Sequence, residues 1–324
     1  MYVIISVKRS PTMPVQRPDL DTAKKILFDA YKQNKIPFEP KDIEPYCVGG
    51  GALTLKCISV DNIEYAIRFP NTENILNNML AEMQKLTFFK SENLSKNSGL
   101  DIPETHHVPH ETFPFVWHKA VVGETLIPSK YAQLTEPQRV NLAKKIAVFL
   151  SVIHTCKKSE QIPAPKTNVA FQLGQMRLNG FSELKNKLPE SIFNKYNHAQ
   201  INTNYPDVVC HFDMHGRNMA LNPDTKELVG IFDFGDTSVQ KCFLDFYKLS
   251  FISRNLTRRV INEYNKISDV KINIEDVDIA YLCYISKMLK NSPNDGICNM
   301  SLQNFVKDIN EQNTIILNSQ KEQD

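Results

Sequence analysis

The residues best suited to chemistry lie in one stretch in the second half of the chain. The pattern H-x-D-x-x-x-x-N runs from His211 to Asn218 around Asp213, and an Asp-Phe-Gly follows at Asp233. A carboxylate on a loop can orient a hydroxyl group and receive its proton, and Asn and Asp oxygens suit magnesium. The pattern therefore indicates phosphoryl transfer, with Asp213 as the base and Asn218 and Asp233 as metal ligands.

The segment between the two patterns predicts a β-hairpin, with its turn at Asn222-Pro223-Asp224. A hairpin is a rigid spacer that holds the base and the metal ligands on adjacent loop ends. In a purely structural interpretation, Asp213 and Asn218 would form turns and Asp233 would begin a loop. The presence of both patterns in this order favours the chemical interpretation.

Residues upstream are suited to bind phosphate groups. The triplet Gly49-Gly50-Gly51 lies between two predicted strands, where bare backbone N–H groups can approach a phosphate, although a turn or bulge also explains it. Arg68 is predicted near the end of the third strand and Glu82 on the next helix, where they can pair as a kinase strand cation pairs with its helix carboxylate. Surface solvation is the alternative for this pair.

These residues must be positioned by two predicted units. Hydrophobic periodicity predicts an N-terminal unit over residues 1–116 and a larger, mostly helical C-terminal unit over residues 117–324. The fold class is α+β. The predicted elements are a helix over about 22–34, a meander over 46–69, a helix over 73–90, a strand over 113–117, a helix over about 135–156, a strand pair over 208–234, and helices near 243–255, 257–267, 275–290 and 301–318.

Composition limits the classes of partner and compartment. The 324 residues include 38 Lys plus Arg and 36 Asp plus Glu, a net charge of +2 that gives no argument for nucleic acid or an anionic membrane. The seven cysteines form no C-x-x-C pair, and no run approaches the roughly 18 apolar residues of a membrane span. A cytoplasmic protein is expected, and its oligomeric state is left open.

The motif residues carry a family resemblance. His211 to Asn218, with Ile231-Phe232-Asp233-Phe234-Gly235-Asp236, resembles the H-x-D-x-H-x-x-N and I-D-x-x-D signatures of the aminoglycoside phosphotransferase family. That family includes choline-kinase-like and macrolide-kinase-like enzymes. Weaker matches, including the segments around Arg68 and Asp245, extend the resemblance over about residues 45–255.

The resemblance implies a two-lobed, protein-kinase-like fold and a magnesium-dependent transfer of the γ-phosphoryl group of ATP or GTP to a small-molecule hydroxyl. By position, Asp213 would be the base, Asn218 and Asp233 the Mg²⁺ ligands, and Arg68 the phosphate cation. The backbone at Trp117, His118 and Lys119 would pack against the purine. Arg68 stands where many members carry Lys, and a fork-shaped cation is not interchangeable with a point charge.

The acceptor is not decided by the sequence. An aminoglycoside-like antibiotic, an amino alcohol or a sugar would fit a pocket formed by the catalytic loop and the helices of roughly 160–200 and 245–320. Glu275, Asp276 and Asp278 either attract a cationic substrate or only match a helix dipole. The alternatives are a nucleotide-binding regulatory pseudokinase and, less favoured, a protein kinase, because no Ala-Pro-Glu closes an activation segment.

Glycine placement gives one further expectation. Six of the 11 glycines, namely Gly49, Gly50, Gly51, Gly123, Gly216 and Gly235, fall in the predicted phosphate loop, hinge exit, catalytic loop or metal motif. The sequence therefore predicts that the backbone must bend at these positions.

Overall fold

The computed structural model describes residues 14–49, 51–164, 181–202 and 204–321. The chain forms two compact units. The first comprises the described residues of Met1–Phe88 and Pro103–Val122, and the second those of Phe89–Ile102 and Gly123–Asp324. Within the described residues, no helix combines the length and the apolar character that crossing a membrane requires.

The first unit is built on a five-stranded antiparallel sheet. Its strands lie in the order β1-β2-β3-β5-β4. They comprise β1 (Pro40–Gly49), β2 (Ala52–Ser59), β3 (Glu64–Pro70), β4 (His106–Val108) and β5 (Phe115–Lys119). In this register Arg68 of β3 lies opposite Thr54 of β2 and Val116 of β5, so the strand that carries Arg68 is central in the sheet.

Two helices belong to this part of the chain. Helix α1 (Leu20–Lys32) begins where Asp19 accepts a hydrogen bond from the Thr22 N–H at 2.7 Å, which caps the helix. Its buried face packs on alternate residues of the sheet, Leu55, Ile67 and Phe69 among them. Helix α2 (Glu73–Ser91) follows β3 and carries Glu82.

The second unit is mainly helical with two small sheets. The described helices are α3 (Leu94–Ser98), α4 (Pro128–Gln133), α5 (Glu136–Thr155), α6 (Ser182–Lys185), α7 (Glu190–His198), α8 (Arg254–Ile267), α9 (Ile274–Asn291) and α10 (Gly296–Lys321). Strands β6 (Glu124–Thr125), β8 (Met219–Leu221) and β9 (Leu228–Ile231) form one sheet, and β7 (Asp207–Cys210) pairs with β10 (Ser238–Lys241). The hairpin β8–β9 is the spacer predicted between the two motifs.

Helix α5 organises the interior of this unit. A complete capping box begins it, because Thr135 Oγ1 accepts the Gln138 N–H at 3.4 Å while Gln138 Oε1 accepts the Thr135 N–H at 2.9 Å. The apolar face of α5 is fully buried, and His154 near its end bonds to Tyr264 of α8 at 2.9 Å.

One predicted helix differs from the structure. The segment expected as a helix over 243–255 forms two short 3₁₀ stretches, Cys242–Asp245 and Tyr247–Phe251, before α8 begins. Phe243, Leu244, Phe246 and Leu249 are all buried, so the apolar side chains of the segment do not fall on one helical face. A continuous apolar run shows burial without fixing the helical period, which explains the difference.

Candidate active site

Asp213 lies in the loop that leaves strand β7, and a buried carboxylate fixes the backbone of that loop. Asp245 Oδ2 accepts the His211 N–H at 2.9 Å, and Asp245 Oδ1 accepts the Phe212 N–H at 2.6 Å. Phe212 adopts a φ of 66°, a left-handed conformation that is costly for a bulky side chain. The loop is therefore held in a strained shape immediately before Asp213.

The Asp213 carboxylate contacts three side chains. Asn218 Nδ2 donates to Oδ2 at 2.8 Å, and His215 Nε2 lies 3.3 Å from the same oxygen. Lys248 Nζ donates to Oδ1 at 2.5 Å. Because both oxygens of the Asp213 carboxylate have bonding partners, the side chain has one fixed orientation. Proton acceptance in a transition state requires such an orientation.

The charge state of Asp213 follows from these contacts. Burial by itself would raise the pKa of this carboxyl, but the hydrogen bond from His215 and the positive charge of Lys248 outweigh it. The pKa of Asp213 therefore lies well below its usual value. The side chain stays ionised throughout the range in which proteins work, ready to accept a hydroxyl hydrogen bond.

His211 braces the loop from below as a neutral ring. Its Nδ1 accepts the Asp213 N–H at 3.2 Å and its Nε2 lies 3.3 Å from the Phe232 carbonyl oxygen, so the proton belongs on Nε2. Burial lowers the pKa of His211, more than Asp245, Asp213 and Asp233 raise it. Protonation of Nδ1 would break the bond to the Asp213 backbone.

Asn218 and Asp233 are joined through the backbone. The Phe232 N–H donates to the Asn218 carbonyl oxygen at 3.1 Å, which brings the residue before Asp233 against Asn218. The Asn218 amide nitrogen faces Asp213, so its amide oxygen points the other way, and Asp233 is exposed with a φ of 65°. An amide oxygen and a carboxylate in this setting fit the hard oxygen ligands that Mg²⁺ takes.

The first unit brings Arg68 and Glu82 together. Arg68 Nη1 donates to Glu82 Oε2 at 3.1 Å, and Glu82 is the more buried partner, with 12% of its side chain exposed against 35% for Arg68. Trp117, His118 and Lys119 form the end of β5, the neighbouring strand, with Trp117 buried and Lys119 exposed. Burial lowers the pKa of His118.

The glycine triplet lies at the hairpin between β1 and β2. Gly49 pairs with Ala52, Gly51 follows the turn, and Gly50 lies outside the described residues. A Cβ on Gly51 would approach the flexible end of Ile75 at 2.9 Å. The predicted phosphate-binding role of this turn stays a prediction.

A buried cluster beneath the catalytic loop contains residue types that bind metals, but its side chains already have other bonding partners. Within the described residues, ligand atoms of His154, Cys210 and Asp245 lie within 4.8 Å of one another. Asp245 already accepts from His154 Nε2 at 3.1 Å and from two backbone N–H groups, and burial raises the pKa of the Cys210 thiol well above its usual value. A neutral thiol and a carboxylate that is already hydrogen-bonded at both oxygens make this cluster structural.

Of the three carboxylates that could attract a cationic substrate, Glu275 is half-exposed, whereas Asp276 and Asp278 face the interior. Asp276 accepts from the Tyr205 hydroxyl at 2.8 Å, and Asp278 accepts from Arg254 and from the Tyr196 hydroxyl. Asp278 is fully buried and Asp276 nearly so. Both of these buried carboxylates are therefore hydrogen-bonded within the core of the second unit.

Sequence reasoning missed Lys248. No motif marks this lysine, which is three residues after Asp245 in a run of aromatic and aliphatic residues. A cation inside an apolar run, next to a residue matched to a family motif, is the one signal that could have drawn attention to it. The fold turns this apolar run so that the ammonium group of Lys248 contacts Asp213.

Comparison with known proteins decides the family. The model of the phosphotransferase enzyme family matches residues 49–269, which is more than half of the chain and includes all the motifs above. The chain belongs to this family. Membership in the phosphotransferase family confirms both the resemblance and the predicted enzyme class, a phosphotransferase with an alcohol group as acceptor.

Solved structures of phosphotransferases share the fold. The GDP and kanamycin complex of APH(2")-IIIa is 17% identical with a TM-score of 0.63, over 89% of this chain and 99% of that one. ADP-bound aminoglycoside phosphotransferase APH(2'')-Ib is 17% identical with a TM-score of 0.60, over 90% and 99%. Macrolide 2'-phosphotransferase MphH from Brachybacterium faecium is 8% identical with a TM-score of 0.58, over 86% and 97%. The predicted kinase-like α+β fold is confirmed, while a comparison with curated proteins gives no match.

Proposed function

We propose that this phosphotransferase moves the γ-phosphoryl group of ATP or GTP to a hydroxyl group of a small molecule. The observation that carries the proposal is the Asp213 carboxylate, ionised and oriented by Asn218, His215 and Lys248. Support for a nucleotide donor comes from neighbours that are described as ADP, GDP and ATP complexes. Support for a small-molecule acceptor comes from neighbours described with kanamycin, streptomycin and gentamicin.

In the proposed reaction the acceptor hydroxyl donates a hydrogen bond to Asp213, which receives its proton as the oxygen attacks the γ-phosphorus. The new bond joins the acceptor oxygen to phosphorus, and the bond from phosphorus to the β-phosphate oxygen breaks to release ADP or GDP. Asn218 and Asp233 would hold Mg²⁺, which offsets the phosphate charge when bound. Arg68, fixed by Glu82, is the proposed phosphate cation, and the end of β5 the proposed purine contact.

The test is acceptor-dependent release of ADP or GDP in the presence of Mg²⁺, with a panel of hydroxylated small molecules. Wild type should turn over at least one acceptor, and Asp213→Asn should lose about a thousandfold or more in kcat while it still binds nucleotide. Nucleotide binding by both proteins without transfer to any acceptor would contradict the proposal and favour the regulatory pseudokinase. Phosphorylation of an added protein alone would favour a protein kinase.

A further inference from the structure

A cavity of about 530 Å³ opens beside Asp213 within the second unit. Its volume is in the range of small-molecule sites. Besides Asp213, the described residues around it include His215 and Arg217 of the catalytic loop, and side chains of α9 and α10. Since the proposed base forms part of the wall, this cavity is the place where a reacting hydroxyl group can lie.

Apolar side chains form a large part of the wall. Half of the described lining residues are aliphatic, aromatic or Met side chains, among them Ile127, Phe251, Tyr284, Met288, Ile297 and Met300. Three of these are exposed to solvent, with exposures of 38% for Ile127, 57% for Ile297 and 50% for Met300. Apolar surface on a concave wall favours a ligand that covers it with apolar surface of its own.

Lys248 places a cation at the deep end of this cavity. Only 12% of its side chain is exposed. Its Nζ lies 5.8 Å from the ring centres of Phe212 and Tyr284 and 6.0 Å from that of Tyr247. Three ring faces and the Asp213 carboxylate hold the ammonium group in place, so it cannot withdraw easily when an acceptor enters.

The hydrogen bonds of Asp213 determine where an acceptor hydroxyl binds. Each carboxylate oxygen has two lone-pair sites. Among the described residues, Oδ2 accepts from Asn218 and lies beside His215, whereas Oδ1 accepts from Lys248 alone. The free site is therefore on Oδ1, and a hydroxyl bonded there has the Lys248 ammonium as its immediate neighbour.

The remaining charges do not favour a polycation. Of the described residues that line the cavity, three are carboxylates, Asp213, Asp236 and Asp295, and two are permanent cations, Arg217 and Lys248. Asp213 is already paired with Lys248. A ligand with several ammonium groups needs a clear excess of carboxylates, whereas the described wall has an excess of only one.

We propose, on the basis of the proposed function, that the acceptor is an alcohol with an apolar body and no ammonium group beside its reacting hydroxyl, and that Lys248 enforces this choice. Lys248 repels a positive charge placed next to the hydroxyl, while the walls of α9 and α10 bind the apolar body. It is thus a specificity-determining residue that also orients Asp213.

Two matched probes test the preference by titration calorimetry on the full chain with Mg²⁺ and a non-hydrolysable ATP analogue. These are trans-2-phenylcyclohexanol and trans-2-aminocyclohexanol, which differ only in the group beside the hydroxyl. We expect the phenyl compound to bind at least tenfold more tightly. Lys248→Met keeps the length of the side chain and removes its charge, and should reduce this ratio at least fivefold. Lys241→Met, which removes a surface ion pair with Asp207 at 3.3 Å, should leave the ratio unchanged.

The apolar wall has its own matched pair of variants. Ile297→Asp should weaken binding of the phenyl compound at least fivefold, whereas Ile267→Asp should not alter it. The two isoleucines are similarly exposed, at 57% and 53%, but Ile267 is not among the residues that line the cavity. Circular dichroism on each variant checks that the fold is kept.

The outcomes separate this inference from the proposed function. Tighter binding or faster phosphorylation of the amino compound or of kanamycin would overturn the inference while the phosphotransfer proposal stands. Binding of neither probe, or a ratio that Lys248→Met leaves unchanged, would overturn it as well. The expected preference in binding, without transfer to any acceptor, would support the pocket chemistry and contradict the proposed reaction instead.

Discussion

Asp245 Oδ1 accepts the Phe212 N–H at 2.6 Å, and through this bond a residue remote in sequence controls the backbone next to the proposed base. Phe212 holds a φ of 66°, a conformation that costs roughly 1–3 kcal/mol for such a residue. The loop keeps this shape because Asp245 also accepts the His211 N–H and is itself bonded by His154. The orientation of Asp213 is therefore maintained by a carboxylate that never touches it.

Asp245→Asn tests whether Asp245 maintains the backbone of this loop. An amide supplies one acceptor oxygen where the carboxylate supplies two, so one of the two backbone N–H groups would face an NH₂ group. We expect a loss of about 2–3 kcal/mol in the free energy of unfolding and at least a tenfold fall in kcat. Urea unfolding and steady-state kinetics measure the two effects.

Asp207→Asn is the control, because the Asp207 side chain is half exposed and pairs with Lys241 on the surface. It should change the stability by less than about 1 kcal/mol. Wild-type turnover in Asp245→Asn would show that the Phe212 backbone keeps its shape without this carboxylate.

Gly216 is needed for a close approach between two backbone segments. A Cβ at this position would lie 1.6 Å from the Leu126 carbonyl oxygen, and the Leu126 N–H donates to the Gly216 carbonyl at 3.0 Å. The segments cannot separate without loss of that hydrogen bond. Gly216→Ala should therefore cost about 2–4 kcal/mol of unfolding free energy.

Gly296→Ala serves as the comparison, since a Cβ there would meet nothing within 4 Å. It should be neutral or slightly stabilising, because Ala is the better residue in a helix. Chemical denaturation of both variants checks the difference. Equal stabilities for the two variants would mean that the chain around Leu126 yields easily.

The chemistry of the motif is easier to predict from the sequence than the backbone conformation that positions its residues. Asp213, Asn218 and Asp233 are recognisable because their types and spacing are local properties of the chain. Two left-handed positions next to the motif residues are not glycines, since Phe212 and Asp233 hold that conformation, whereas Gly216 is needed for a close approach. A positive φ enforced by distant hydrogen bonds leaves no local signal.

Local sequence also could not predict that Lys248 belongs to the site. Its contact with Asp213 joins residues 35 positions apart and depends on how the apolar segment after Asp245 turns. That segment reads as a helix, whereas tertiary packing folds it into two 3₁₀ stretches. Arg68 and Glu82 are predictable as a pair because one strand and the helix that follows it place them.

The ion pair between Arg254 and Asp278 gives a prediction about the interior. Both side chains are almost completely buried, and Arg254 Nη2 donates to Asp278 Oδ2 at 2.7 Å. Burial raises the pKa of Asp278 more than Arg254 lowers it. Arg254→Met should cost about 3–5 kcal/mol, because it leaves a buried carboxylate without its cation.

The double variant Arg254→Met/Asp278→Asn should recover part of that loss, since both charges are removed together. Lys195→Met breaks a half-exposed pair with Glu275 at 2.8 Å and should cost less than about 1 kcal/mol. Urea unfolding at pH 7 compares the four proteins. A double variant no more stable than Arg254→Met would contradict the assigned role of the unpaired charge.

His211 predicts how the stability depends on pH. Burial lowers its pKa in the folded protein below the value of about 6.5 in the unfolded chain, so the unfolded chain binds the proton more readily. The contribution of His211 is therefore fully present above about pH 6.5 and is lost as the pH falls toward the folded pKa, by up to roughly 1.4 kcal/mol per pH unit. His211→Gln can keep both bonds, with its amide NH₂ to Phe232 and its oxygen to the Asp213 N–H, but has no proton to gain. Unfolding free energies from pH 8 to 5 should fall more steeply for wild type than for His211→Gln, and parallel curves would show that another group dominates this range.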